Sequence, residues 1–371
     1  MELEYTTLQH ERRAEARRLF GSVSAPSTLA TAGADDPGYD DDLWATVLRS
    51  QLFTPDSLVD LVVVCEELGR SAVAVPAHNG LIQCDAVLRE LGASGHRGDL
   101  LGGAHRYALC ITEPEGSVHP DRIRLQASRR GGDWVLDGTK CFIPYGGSAD
   151  VLLVVARTSA DAGDGGLTLF AVDARTSGVV TTSLDSIGGD RQGAITFADV
   201  RVADADRLTD VGAAWPAIGR ALDRGVIALC SDMVGAADAA LEHTVERVAG
   251  RQQWGVPIGS FQAVQHRCAD MLIDVTLGRD AVLDAASAID RGEDSRLHAA
   301  LTKSLCAEAC RRVSASAHQL NGGQGIYADR PLHVWFRRIK SMAPMLGDAR
   351  WHREIIAAHV LDGNDWAPAP A

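Results

Sequence analysis

The stretch DWVLDGTKCFIPYGGSADVLLVVART (133–158) contains two runs rich in Val, Leu, Ile and aromatic residues, DWVLDGTKCFI and ADVLLVVART, around the turn-forming PYGGS. Such residues favour a pleated, half-buried backbone, and Gly, Pro and Ser mark where it turns. Working outward, YALCI (107–111), GLTLFAVDA (166–174) and GAITFADVRV (193–202) have the same character, with RRGGD, LDGT and DAGDGG as turns. Together they predict an all-β module. Helical spacing takes over on both sides. LWATVLRSQLF (43–53) and SLVDLVVVCEELGR (57–70) precede it, with Asp56 and Ser57 as start signals and Gly69 near the stop. Three long amphipathic runs follow it, at 228–251, 261–290 and 298–321; the first is rich in Ala, which favours close helix contact. TAGADDPGYDDD (31–42) has linker composition, and the chain ends in APAPA. The expected fold class is therefore α+β: an N-terminal α-helical domain (1–105), a central β-barrel domain (106–210) and a C-terminal four-helix bundle (211–371).

The 371 residues carry a net charge of −13, which argues against a broad nucleic-acid surface. An apolar share of 46% supplies a sizeable aliphatic core. Eight cysteines are scattered without a CxxC pair, so no metal site is expected and buried free thiols in a reducing compartment are. The charged N-terminus has no apolar leader, and no apolar run is long enough to span a bilayer, so a cytoplasmic protein is expected.

TEPEGSVHP (112–120) directly follows YALCI. Its Thr, Gly and Ser would present hydroxyls and bare N–H groups to an oxygen-rich ligand such as a phosphate. The same residues are also the ordinary stuff of surface turns. The order of segments resolves the choice. EELGRSAVAVP (66–76), ITEPEGS followed by LDGTKCFIPYGGSADVLLVVAR, RQQWGVPIGSFQAVQHRCADM (251–271) and QLNGGQGIY (319–327) resemble, in order and over nearly the whole chain, the signatures of the acyl-CoA dehydrogenase family. The likeness extends to its two-subunit, steroid side-chain type.

That resemblance implies FAD, an acyl-CoA thioester substrate, and α,β-desaturation. It also implies a homo-oligomer or a homologous second subunit, and an electron-transfer acceptor. Thr112 would donate to the pyrimidine edge of the flavin, and Gly116 and Ser117 would donate to the pyrophosphate. Phe142 and Ile143 would flank the ring. Arg251, Trp254, Gln262, Gln319, Gly322 and Gly323 would reach a neighbouring subunit's FAD. An Arg suits a pyrophosphate because its fork bonds two oxygens.

Three departures stand against these matches. TEPEGS is one residue shorter than the family's TEPxxGS. Pro144 replaces a hydroxyl residue expected to donate near flavin N5, and proline has no N–H. The third departure concerns the carboxylate that takes the α-proton. In MLGDARWHREIIAAH (345–359), counting from IIAAH puts Gly347 at the Glu position and Trp351 at that of a downstream Gln. The other family position, on the first long bundle helix, falls on Gly225, followed by Val226. The pair Asp223–Arg224 is two residues early, about 200° around the helix. Asp348 is then the candidate catalytic acid, or simply the N-cap of the last helix. A chain that keeps the trans set and lacks the base reads as the helper subunit of a heteromeric enzyme, with a self-sufficient dehydrogenase or a binding scaffold as alternatives.

Overall fold

The computed structural model describes residues 5–21, 38–159, 163–327 and 330–362. Residues 31–37 of the expected linker and the APAPA tail lie outside that set. Helices α1 (Thr7–Gly21), α2 (Asp41–Ser50) and α3 (Leu58–Ser71) come first. A π-helical stretch, Ala77–Gln83, then leads into α4 (Cys84–Glu90) and α5 (Ser94–Leu101). Of the start signals Asp56 and Ser57, Ser57 is the one that caps its helix, while Asp56 accepts from Arg89. Asp40 caps α2 by accepting from the Leu43 N–H at 2.8 Å. Ser57 caps α3, and Asp290 at the far end of the chain accepts from the Leu58 N–H at 2.8 Å, tying α3 to the bundle.

Seven strands follow: β1 (Tyr107–Cys110), β2 (Gln126–Arg130), β3 (Asp133–Pro144), β4 (Val151–Arg157), β5 (Leu167–Asp173), β6 (Val179–Leu184) and β7 (Gln192–Val202). They form one curled sheet in the order β1-β4-β2-β3-β7-β6, with β5 on β4. Most pairs are antiparallel, but β1 runs parallel to β4 from Tyr107↔Val151 to Cys110↔Val154. The two-residue alternation splits β4 between two cores. Leu152, Val154 and Ala156 face the sheet's interior with Trp134, Phe170 and Phe197. Leu153 and Val155 face the helices. That is why this strand reads as an unbroken apolar run, whereas β6, VVTTSL, is largely exposed.

The C-terminal part comprises α6 (Trp215–Gly250), a short hairpin of β8 (Gln252–Gln253) and β9 (Val256–Pro257), α7 (Gln262–Asp290), α8 (Ser295–Asn321), α9 (Leu332–Met342) and α10 (Ala349–Asp362). The three long helices pack together, and the two shorter ones complete the bundle against α8. Helix α6 starts at Trp215, thirteen residues before the start at 228 expected from spacing. Pro216 sits in its first turn, where a missing N–H is harmless. Gly225, the alternative base position, packs close to the π-helical stretch: a Cβ there would lie 2.9 Å from Gln83 Cγ. Close contact between α3 and α6 likewise rests on glycine. A Cβ on Gly69 would meet the Asp232 carbonyl at 1.9 Å, and one on Gly235 the Glu66 carbonyl at 1.9 Å. Among the described residues no helix is long and apolar enough to cross a membrane. All eight cysteines are free.

Candidate active site

A cavity of about 350 Å³ opens where the sheet, the π-helical stretch, α6 and the α9–α10 loop meet. The sheet side contributes Ile111, Thr112, Gly116, Phe142 and Ile143; the helical side contributes Gln83, Leu222, Met345 and Leu346. Four of the residues expected at the flavin thus share one wall.

The TEP turn is held by a buried ion pair. Lys140 Nζ donates to Glu113 at 2.9 Å and to the Ile111 carbonyl at 3.0 Å. The same carboxylate accepts from the Arg124 and Leu125 N–H groups. Burial pulls the Lys140 pKa down, against the pull of Glu113. The turn is also stitched to β3: the Cys141 N–H donates to the Thr112 carbonyl at 2.8 Å, and the Thr112 hydroxyl donates to the Cys141 carbonyl at 2.6 Å.

Those bonds correct two expectations. The Thr112 hydroxyl proton is already used, so toward a ligand this oxygen accepts rather than donates. The Gly116 N–H donates to the Glu113 carbonyl at 2.8 Å, closing the shortened turn, and so is not free for a phosphate. Ser117 keeps its hydroxyl proton, since its oxygen accepts from the His119 N–H at 3.1 Å. Past Lys140 the pairing of β3 with β7 shifts register. Phe142 takes φ +58° there, leaving its ring 44% exposed beside Gly116, while Ile143 turns into the sheet's interior.

On the opposite wall the structure corrects Asp348. Its Oδ1 accepts from the Trp351 N–H at 2.8 Å, capping α10. Its side chain borders a separate hollow with Arg311, Lys340 and Arg350. The residues of this loop that line the cavity are Pro344, Met345 and Leu346, the last of them one before the Gly347 picked by counting. Gly347 has φ +94°, and a Cβ on it would lie 2.2 Å from Trp351 Cε3. The other base position is equally closed, since Gln83 fills the space at Gly225. Asp223 points away, accepting from Ser295 at 2.8 Å and Arg296 at 3.2 Å.

The residues expected to act in trans lie apart from this cavity. Arg251 borders a hollow of about 450 Å³ with Arg247, Asn321, Gln324 and Arg330. Gly322 and Gly323 directly follow Asn321, and both are exposed, as are Gln262 and Gln319. Trp254 is 85% exposed and meets Phe261 edge-on at 5.7 Å.

Sequence reading missed Asn79, Gln83 and Leu346 on the helical side and Asp190 and Gln192 where β7 begins. Three polar residues inside the apolar stretch AHNGLIQ (77–83) were the available signal.

Residues 108–200 match the acyl-CoA dehydrogenase middle-domain model, and residues 212–361 match the C-terminal-domain model. The acryloyl-CoA reductase (NADH) of Anaerotignum propionicum is 31% identical over 71% of this chain and 68% of its own. The chain belongs to the acyl-CoA dehydrogenase family. It is an oxidoreductase of that flavoprotein family. Among solved structures, the ChsE4-ChsE5 complex from Mycobacterium tuberculosis has the same fold, with a TM-score of 0.85 at 24% identity over 100% of both chains. A structure described as the Tcur3481-Tcur3483 steroid ACAD G363A variant aligns with a TM-score of 0.83 at 26% identity, over 96% of this chain and 98% of that one.

Proposed function

We propose that this chain is the FAD-holding, base-lacking subunit of a heteromeric acyl-CoA dehydrogenase that desaturates an acyl-CoA thioester. The observation that carries the reading is Leu346. An aliphatic side chain occupies the cavity wall of the very loop where the family resemblance implies a carboxylate, while Asp348 next to it is spent as a helix cap. The steroid-type relative, whose name joins two proteins, supports the heteromeric form.

The residues present fit a flavin. Ile111 and Phe142 on one side and Met345 and Leu346 on the other make two apolar walls for a flat ring. Thr112 and Gln192 supply a polar edge. Bound FAD would accept the hydride leaving the substrate's β-carbon. Thr112 would orient the ring by accepting at its edge, and Ser117 would donate toward the phosphates. Arg251 of an adjoining subunit would pair with the pyrophosphate. The α-proton would go to a carboxylate that the partner subunit brings to the same substrate. Coexpression with a base-bearing homologue and measurement of flavin per chain after dialysis test this reading. Flavin retained by a mixed oligomer and lost by the lone chain is expected. A lone chain that retains one FAD per subunit would refute it.

A further inference from the structure

Helix α8 runs behind the wall that Met345 and Leu346 present to the cavity, and it carries a fully buried lysine there, Lys303. Its Nζ donates to the carbonyls of Met342 and Met345, both at 2.9 Å. Met342 ends α9, where unsatisfied carbonyls and the negative end of the helix dipole favour a cation. The Met345 N–H donates to the same Met342 carbonyl at 3.1 Å, so the ammonium and this bond together close the turn. The next carbonyl, that of Leu346, is held by His352 from α10. Two consecutive carbonyls are thus drawn into the bundle, and the Met345 and Leu346 side chains line the cavity.

Among the described residues Lys303 has no carboxylate partner. The titratable groups around it are Cys230 of α6, Cys306 and Cys310 of its own helix, Asp348, which caps α10, and His352. Of the charges on the neighbouring helices, Arg338 on α9 pairs with Asp232, and Asp274 on α7 with Arg312. Burial pulls the Lys303 pKa down to about 8, against the thiols and Asp348. An unfolded lysine keeps its proton to about 10.4. The buried charge therefore costs the fold stability, in full below about pH 8 and less as pH rises toward 10.4. An apolar side chain would avoid that cost, so the ammonium is explained by what it holds, the cavity loop.

We propose that Lys303 is a positioning residue for the flavin cavity, its ammonium fixing the loop that sets Met345 and Leu346 against the ring. The proposal rests on the flavin reading of that cavity.

The test is the FAD dissociation constant of the mixed oligomer with a base-bearing homologue, measured from about pH 6.5 to 9.5 across the titration of Lys303. The wild type is expected to bind FAD roughly fivefold more weakly above the step than below it, because a neutral amine makes the weaker kind of hydrogen bond. Lys303→Met has a similar length and neither charge nor donor. It is expected to bind FAD roughly tenfold more weakly than the wild type below the step, and to show no step of its own. Cys230→Ala removes a thiol whose ordinary pKa of about 8.5 lies in the same range, and should keep the step. A lysine that only supported the fold would lower the melting temperature of Lys303→Met and leave the wild-type binding profile flat. A flat wild-type profile, a step that survives in Lys303→Met, or a step lost in Cys230→Ala would overturn the proposal. Should Lys303→Met lose its fold, the wild-type and Cys230→Ala profiles decide. If the mixed oligomer binds no FAD at any pH, the flavin reading itself falls, and the proposal with it.

Discussion

Leu346 and Gly347 are neighbours with opposite prospects. Leu346 already faces the cavity, so Leu346→Glu places a carboxylate where an α-proton could reach it. In excess FAD the variant is expected to bleach flavin with saturated acyl-CoA roughly a hundredfold faster than the wild type, the low end of what a positioned base supplies. Gly347→Glu should fail, because its φ of +94° disfavours a side chain and Trp351 fills the space. A stability loss of roughly 2–5 kcal/mol in denaturant titration is expected. Asp348→Asn should leave stability almost unchanged, since Asn caps as well, whereas Asp348→Ala should cost about 1 kcal/mol. At this scale the sequence was half legible. Thr112, Gly116, Phe142 and Ile143 stand in one signature, and all four line the same cavity. The directions of their hydrogen bonds were not legible, because Glu113 and Cys141 claim those protons only once the turn is folded. Leu346 was missed by one position, because the loop's left-handed backbone and not its spacing decides which side chain faces inward.

Helix α10 is pinned to the cavity through His352, whose Nε2 lies 3.0 Å from the Leu346 carbonyl. Burial and the nearby Lys303 charge push the His352 pKa down to about 3, although the bond to Leu346 opposes them. An unfolded His protonates near 6.5. Between those values the unfolded chain binds the extra proton, so stability falls as pH drops from about 6.5 toward 3. His352→Gln should flatten this part of the pH–melting curve; an unchanged acid slope would show that other groups set it. The hairpin after α6 presents Arg251 and Trp254 outward. Arg251→Ala is expected to weaken FAD retention by an assembled oligomer by about 1.5–3 kcal/mol, read as flavin left after dialysis. Elements were more legible than single side chains. The apolar run of β4 and the Ser57 cap of α3 carry their own signals. The early start of α6 did not, because Pro216, Gly219 and Gly225 look like breaks until α6 is packed against the π-helical stretch.

Across the whole molecule, the switch from helical spacing to alternation and back was enough to order the layers, and the family fold agrees with it. The cavity proposed for the flavin ring and Arg251, the cation proposed for its phosphates, lie on different surfaces of the chain. A flavin-loaded species should therefore be at least dimeric in light scattering. The central claim is that this chain lends a cavity and no base. The direct test is anaerobic flavin bleaching by a saturated acyl-CoA, with the chain alone in excess FAD and then mixed with a base-bearing homologue. Slow bleaching alone and rapid bleaching in the mixture is the expected result. Rapid bleaching by the chain alone would contradict the account.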